Sequence, residues 1–72
     1  MHHVVNLKLK NILIERHLTQ KQLAEMSGLR QSTLSDLVRG SRTVMNYDHL
    51  CRLADALEID DIRDLIELKR VQ

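Results

Sequence analysis

Four histidines, one cysteine, several serines and paired carboxylates are the groups in this 72-residue chain that could carry metal, redox or acid–base chemistry. Their spacing assembles none of it. His2 and His3 beside the terminal amine resemble a metal-binding amino-terminal tripeptide, but a frayed terminus accounts for them without a metal. His17 and His49 stand far apart, with no cysteine or carboxylate at a recurring ligand spacing, which argues against zinc. Cys51, beside Leu50 and Leu53, reads as a small core hydrophobe rather than a redox sensor. Ser32, Ser35 and Ser41 have no histidine placed by a recognisable motif to activate them, and Asp60-Asp61 reads as a helix cap rather than an acid and a base. The expectation is a protein that is not an enzyme and needs neither metal nor cofactor. What remains is hydrogen-bonding chemistry, concentrated in the polar positions of the run Thr19–Gly40.

That run has the pattern of a helix-turn-helix. Leu23, Ala24 and Met26 fall on the inner side of a first helix, and Leu34, Leu37 and Val38 recur at helical spacing on a second. Gly28 stands where the chain must turn sharply, because a helix end often needs a left-handed residue that glycine adopts without strain. Ala24 lets the two helices cross closely. Thr19 with Gln22 forms a Thr-x-x-Gln capping box that opens the first of these helices, which ends near Ser27-Gly28. The second spans about 31–39, with Gly40 just past its end. Before them, Leu7, Leu9, Ile12 and Leu13 predict a helix over about 6–17, and residues 1–6 a loose lead-in or a short strand. After them, Asn46 caps a helix with the apolar stripe Leu50, Leu53, Ala54 and Leu57, running to about Glu58. Asp60 or Asp61 caps a last helix, carrying Ile62, Leu65, Ile66 and Leu68 to about Lys69.

Composition agrees with an all-α domain. There is no proline, aromatic residues make up 1% of the chain, and nothing resembles a strand-rich aromatic core. The chain reads as one domain, with its core over about residues 6–69. It is small enough that a tight bundle or a partner subunit must supply stability. One cysteine makes no internal disulfide, no apolar run reaches the roughly 20 residues of a membrane span, and no cleavable leader is visible, so a cytoplasmic location is expected. The net charge of +1 is unevenly spread: residues 1–43 carry +4 and residues 44–72 carry −3. A basic front and an acidic rear would orient the domain toward a polyanion.

Taken together, Thr19-Gln20, Leu23-Ala24, Gly28, Ser32-Thr33-Leu34-Ser35, Arg39-Gly40 and the Leu50–Leu57 stripe resemble the Cro and phage-repressor type of helix-turn-helix domain, the XRE family, over about residues 6–68. The resemblance implies a compact five-helix, lambda-repressor-like bundle. Its third helix would enter the major groove of double-stranded DNA, gripped by a dimer at two half-sites. By matched position the base readers are Gln31 and Ser32, then Ser35 and Asp36, with Arg30 entering from the turn. A carboxamide such as Gln31 can pair bidentately with adenine N6 and N7. Thr33 either offers its methyl to a thymine or faces the preceding helix. Phosphate contacts are implied at Gln20, helped by unpaired N–H groups of a helix start, and at Arg39, Ser41, Arg42 and Thr43.

Three positions depart from the family pattern. Leu13 stands where many relatives carry an arginine, so core packing replaces an anchor there. Asp36 either accepts from cytosine N4 or pairs with Arg39 or Arg30. Arg30 replaces the usual Ser or Thr cap, which leaves open whether the reading helix starts at 31 or later, capped by Ser32. The apolar residues Ile59, Ile62, Leu65, Ile66, Leu68 and Val71 exceed what a short terminal helix needs for docking; either all of them close the core of a monomer, or, as is expected, Ile62, Leu65, Ile66 and Leu68 form a two-fold dimer through that helix, with an inverted-repeat operator. The resulting reading is a sequence-specific transcriptional regulator, a repressor that occludes a promoter. The rivals are the antitoxin of a toxin–antitoxin pair and a protein-interaction module on the same fold.

Overall fold

The computed structural model describes residues 2–40 and 44–72. Within them the chain forms strand β1 (His2–Leu7), helices α1 (Leu9–Glu15), α2 (Gln20–Ser27), α3 (Gln31–Arg39) and α4 (Tyr47–Leu57), a single 3-10 turn (Ile62–Asp64) and strand β2 (Ile66–Val71). The fold is mostly helical but not all-α, and the described residues form four α-helices where five were expected.

Local chemistry explains the helix boundaries. Thr19 Oγ1 accepts from the Gln22 N–H at 3.0 Å while Gln22 Oε1 accepts from the Thr19 N–H at 2.9 Å, closing the capping box of α2. Asn46 Oδ1 accepts from the Asp48 N–H at 2.8 Å and opens α4. Gly28 and Gly40 end α2 and α3 at φ +75° and +71°, in the left-handed region that glycine enters without cost. At the far end of α4, Arg16 Nη1 donates to the Leu57 carbonyl at 2.5 Å, supplying a cation and a donor to a helix C-terminus.

The chain ends are where expectation and structure part. The predicted helix over 60–69 is instead the 3-10 turn, where Asp61 Oδ1 accepts from the Arg63 N–H at 2.9 Å, followed by β2. β2 pairs antiparallel with β1 from Leu7↔Ile66 to His2↔Val71. The apolar positions 62, 65 and 66 match a helix in any short window. What overrides the match is a partner about 60 residues away: Val4, Val5, Ile66 and Val71 suit a pleated ladder, and the ladder satisfies both strands' backbones at once. The same pairing draws Asn6 and Leu7 into β1 and shortens α1 relative to 6–17. His2 and His3 therefore lie in a strand rather than in a frayed end.

Leu9, Ile12, Leu13, Leu23, Ala24, Leu34, Leu37, Leu53, Leu57 and Leu65 form the core. α2 packs on α3 and on α4, and α1 reaches α3. Leu13 is buried in this core, in the place of the arginine of many relatives. Two side chains expected inside are outside. Met26 is 50% exposed because helical geometry turns it about 100° from the Leu23–Ala24–Ser27 face, and Ser27 is buried in its stead, its hydroxyl donating to the Leu23 carbonyl at 2.7 Å. Cys51 is exposed for the same reason, one residue and so about 100° beyond Leu50 on α4.

Candidate nucleic-acid interface

Leu34 and Leu37 anchor α3 in the core, 0% and 2% exposed. Helical geometry then turns Ser32, Ser35, Asp36 and Arg39 to the opposite side, and Gln31 stands open in the first turn. Gln31 and Ser32 are exposed, Ser35 and Asp36 half-buried, and Arg39 exposed. α3 opens at Gln31 with Arg30 as its extended N-cap residue and no side-chain cap, so a later start capped by Ser32 does not occur. Arg30 is exposed beside that uncapped start, and Thr33 is half-buried.

The Asp36 carboxylate accepts from Arg39 Nη2 at 2.5 Å, an i,i+3 ion pair with both side chains partly open to solvent. This is one of the pairings the sequence left open. It holds Arg39 along the helix and offsets a negative charge on the exposed side of α3. At the other end of the motif Gln20 is exposed as the first residue of α2, where the first-turn N–H groups have no intrahelical partners. Ser41, Arg42 and Thr43 lie outside the described residues. The structure thus groups Arg30, Gln31, Ser32, Ser35, Asp36 and Arg39 along one helix and its entry, with Gln20 at the start of the helix packed against it.

Sequence reading passed over Tyr47 and Val44, which follow α3 and are 82% and 79% exposed. The available signal was compositional: Tyr47 is the sole aromatic residue of the chain and stands at the first position of a helix. Acidic groups gather elsewhere. Glu58, Asp60, Asp61 and Asp64 line an open groove with Lys8, Glu15 and Arg16, to which α2 and α3 contribute nothing. The shifted carboxylates also lie away from α3. The Arg63 side chain holds Asp61 below the ordinary carboxylate range, and the Asn6 amide does the same for Glu67. Among the described residues no three His, Cys, Asp or Glu are grouped to hold a metal ion.

The expected dimer strip does not form a helix face. Leu65 is a core residue at 2% exposure and Ile66 is half-buried, while Ile62 and Leu68 are 58% and 68% exposed.

A family model described as the Cro/C1-type HTH DNA-binding domain matches the chain over residues 8–70, which include both helices and the left-handed glycine between them. The chain belongs to that family. The match runs from the residue before α1 into β2, so this Cro/C1-type domain includes the C-terminal strand as well as the four helices. No curated protein and no solved structure matches the chain. As a Cro/C1-type domain, it binds DNA, and none of its described helices is long and apolar enough to cross a membrane.

Proposed function

We propose that this domain is a sequence-specific transcriptional regulator, a repressor that occludes a promoter, with α3 lying in the major groove and a dimer gripping an inverted repeat. The reading is carried by one observation: α3 is fixed through Leu34 and Leu37 while Gln31, Ser32 and Arg39 stay exposed on its other side. A helix fits the major groove, where every base pair presents a distinct pattern of donors and acceptors. Gln31 reads adenine, and Ser32, Ser35 and Arg30 complete the base-reading set, while Asp36 lies among them as the ion-pair partner of Arg39. Gln20, Arg39, Ser41, Arg42 and Thr43 hold phosphates and fix the register of the helix without specifying sequence. The Tyr47 hydroxyl joins them as a further backbone donor.

Selection of bound sequences from a random duplex pool, at physiological and at raised salt, tests this reading. An enriched inverted repeat with half-sites about 10 bp apart, bound less tightly as salt rises, is the expected result. No enrichment, with negligible binding even at low salt, would overturn it in favour of a protein-interaction module.

A further inference from the structure

β1 and β2 form a sheet of only two strands, so the outer edge of β1 has no ladder partner among the described residues. The Lys8 N–H donates to the Leu65 carbonyl at 2.8 Å, one position beyond the Leu7↔Ile66 pair, which sets the alternation of the ladder. The main-chain groups of Val4 and Asn6 turn inward to β2, and those of His3, Val5 and Leu7 turn to the open edge. Strand edges are ordinarily protected by lysine, proline or another charge. β2 carries Glu67, Lys69 and Arg70, whereas His2-His3-Val4-Val5-Asn6-Leu7 has no proline, no lysine and no acid.

That unprotected edge borders a groove of about 620 Å³. Residues 4–7 line it in succession, and because successive side chains of a strand point to opposite faces, a groove that meets all four runs along the main-chain edge. The rest of the lining comes from residues 37–40 at the end of α3, from Val44 and Met45, and from Lys69. Val5 and Val44 are exposed there, so apolar surface stands uncovered beside unpaired main-chain groups. The described lining contains two cations, Arg39 and Lys69, and no acidic residue.

We propose that this groove receives an extended acidic segment of another protein, added antiparallel to β1 as a third strand. Residues directly opposite in a ladder share a face. Segment residues bonded to Val5 and Leu7 therefore place their side chains on the face of Val5 and Leu68, and the alternate residues lie on the face of Val4 and Lys69, which are partners across the ladder. Apolar side chains suit the first face and carboxylates the second. Lys69 Nζ lies 3.6 Å from Glu67 and Arg39 is paired with Asp36, but both cations are more than half exposed and keep further N–H donors for a carboxylate. A ladder of two strands is marginal by itself, and a third strand reinforces it. Occupancy also bears on DNA. A carboxylate held by Arg39 displaces the phosphate contact assigned to that residue above, so a filled groove weakens duplex binding. That consequence rests on the DNA reading, whereas the docking does not.

Fluorescence anisotropy of the full chain without DNA, using a labelled short peptide that alternates valine with glutamate, tests the docking by itself. Saturable binding is expected, about tenfold weaker for a peptide alternating valine with lysine. Lys69→Glu should narrow or reverse that preference. N-methylation of the valines should abolish binding and N-methylation of the glutamates should spare it, because only the valine N–H groups face β1. No saturable binding, equal binding of the lysine peptide, or binding that survives methylation of the valines would overturn the proposal. Amide exchange on the wild type needs no variant. Slower exchange at Val5 and Leu7 when the valine–glutamate peptide is added supports the edge, and unchanged exchange refutes it. Exchange that slows there with protein concentration alone would give the edge to a second copy of the chain and likewise refute it. With the peptide at saturation, affinity for the selected operator is expected to fall several-fold, and an unchanged affinity would overturn the coupling through Arg39.

Discussion

The guanidinium of Arg39 donates to the carboxylate of Asp36 at 2.5 Å across one turn of α3. An acid on the exposed side of a DNA-facing helix repels phosphate, and this pairing offsets the repulsion while occupying Arg39, the one cationic residue of α3. Asp36→Asn should therefore tighten binding to selected and random duplexes alike, by about two- to fivefold, the size of one screened surface charge. Titration of both duplexes checks it. A loss confined to sites carrying cytosine would instead make Asp36 a reader of cytosine N4.

Gln31 and Arg42 should separate reading from anchoring. Gln31→Ala is expected to cost roughly 1–3 kcal/mol on the selected operator and little on random DNA, while Arg42→Ala weakens all sequences and lowers the salt slope by about one. Affinities measured over a salt series decide it. Equal losses on both DNAs from Gln31→Ala would remove that residue from the readers.

Leu34 is fully buried on α3, the helix packed against α2. Leu34→Ala should destabilise the fold by about 2–5 kcal/mol through lost burial and the cavity left behind. Thermal or denaturant unfolding measures this directly, and an unchanged midpoint would contradict the packing described.

The two lowered carboxylates make stability depend on acid pH. Asp61 and Glu67 titrate lower in the folded chain than in the unfolded one, owing to Arg63 and Asn6 respectively. Their stabilisation is complete above the unfolded values, near pH 4 to 4.5, and is lost as pH falls through the folded ones. The melting temperature should hold from neutral pH to about 5 and drop below that. Asn6→Ala removes the hydrogen bond of 2.9 Å to Glu67, so its melting temperature should fall less steeply with acid. An identical acid profile in that variant would assign the dependence to other groups.

Much of the helix-turn-helix was legible in the sequence because its signals are local. The capping box is written in residues 19 and 22, the turn in Gly28, the α4 cap in Asn46, and the register of α3 in Leu34 and Leu37, each within reach of its own partners. The side on which Gln31, Ser32, Asp36 and Arg39 lie follows from that register by geometry. The pairing of Asp36 with Arg39 was one of those open to the sequence, and only the structure shows that it forms. Met26 and Cys51 were misplaced because neighbours along a helix turn about 100° apart, so adjacency to an apolar residue is no guide to burial. The C-terminal segment was beyond local reading altogether. Ile62, Leu65 and Ile66 satisfy a helical period, and only contact with Val4–Leu7 at the other end of the chain makes β2 the better solution, because a strand's hydrogen bonds lie in its partner and not in itself.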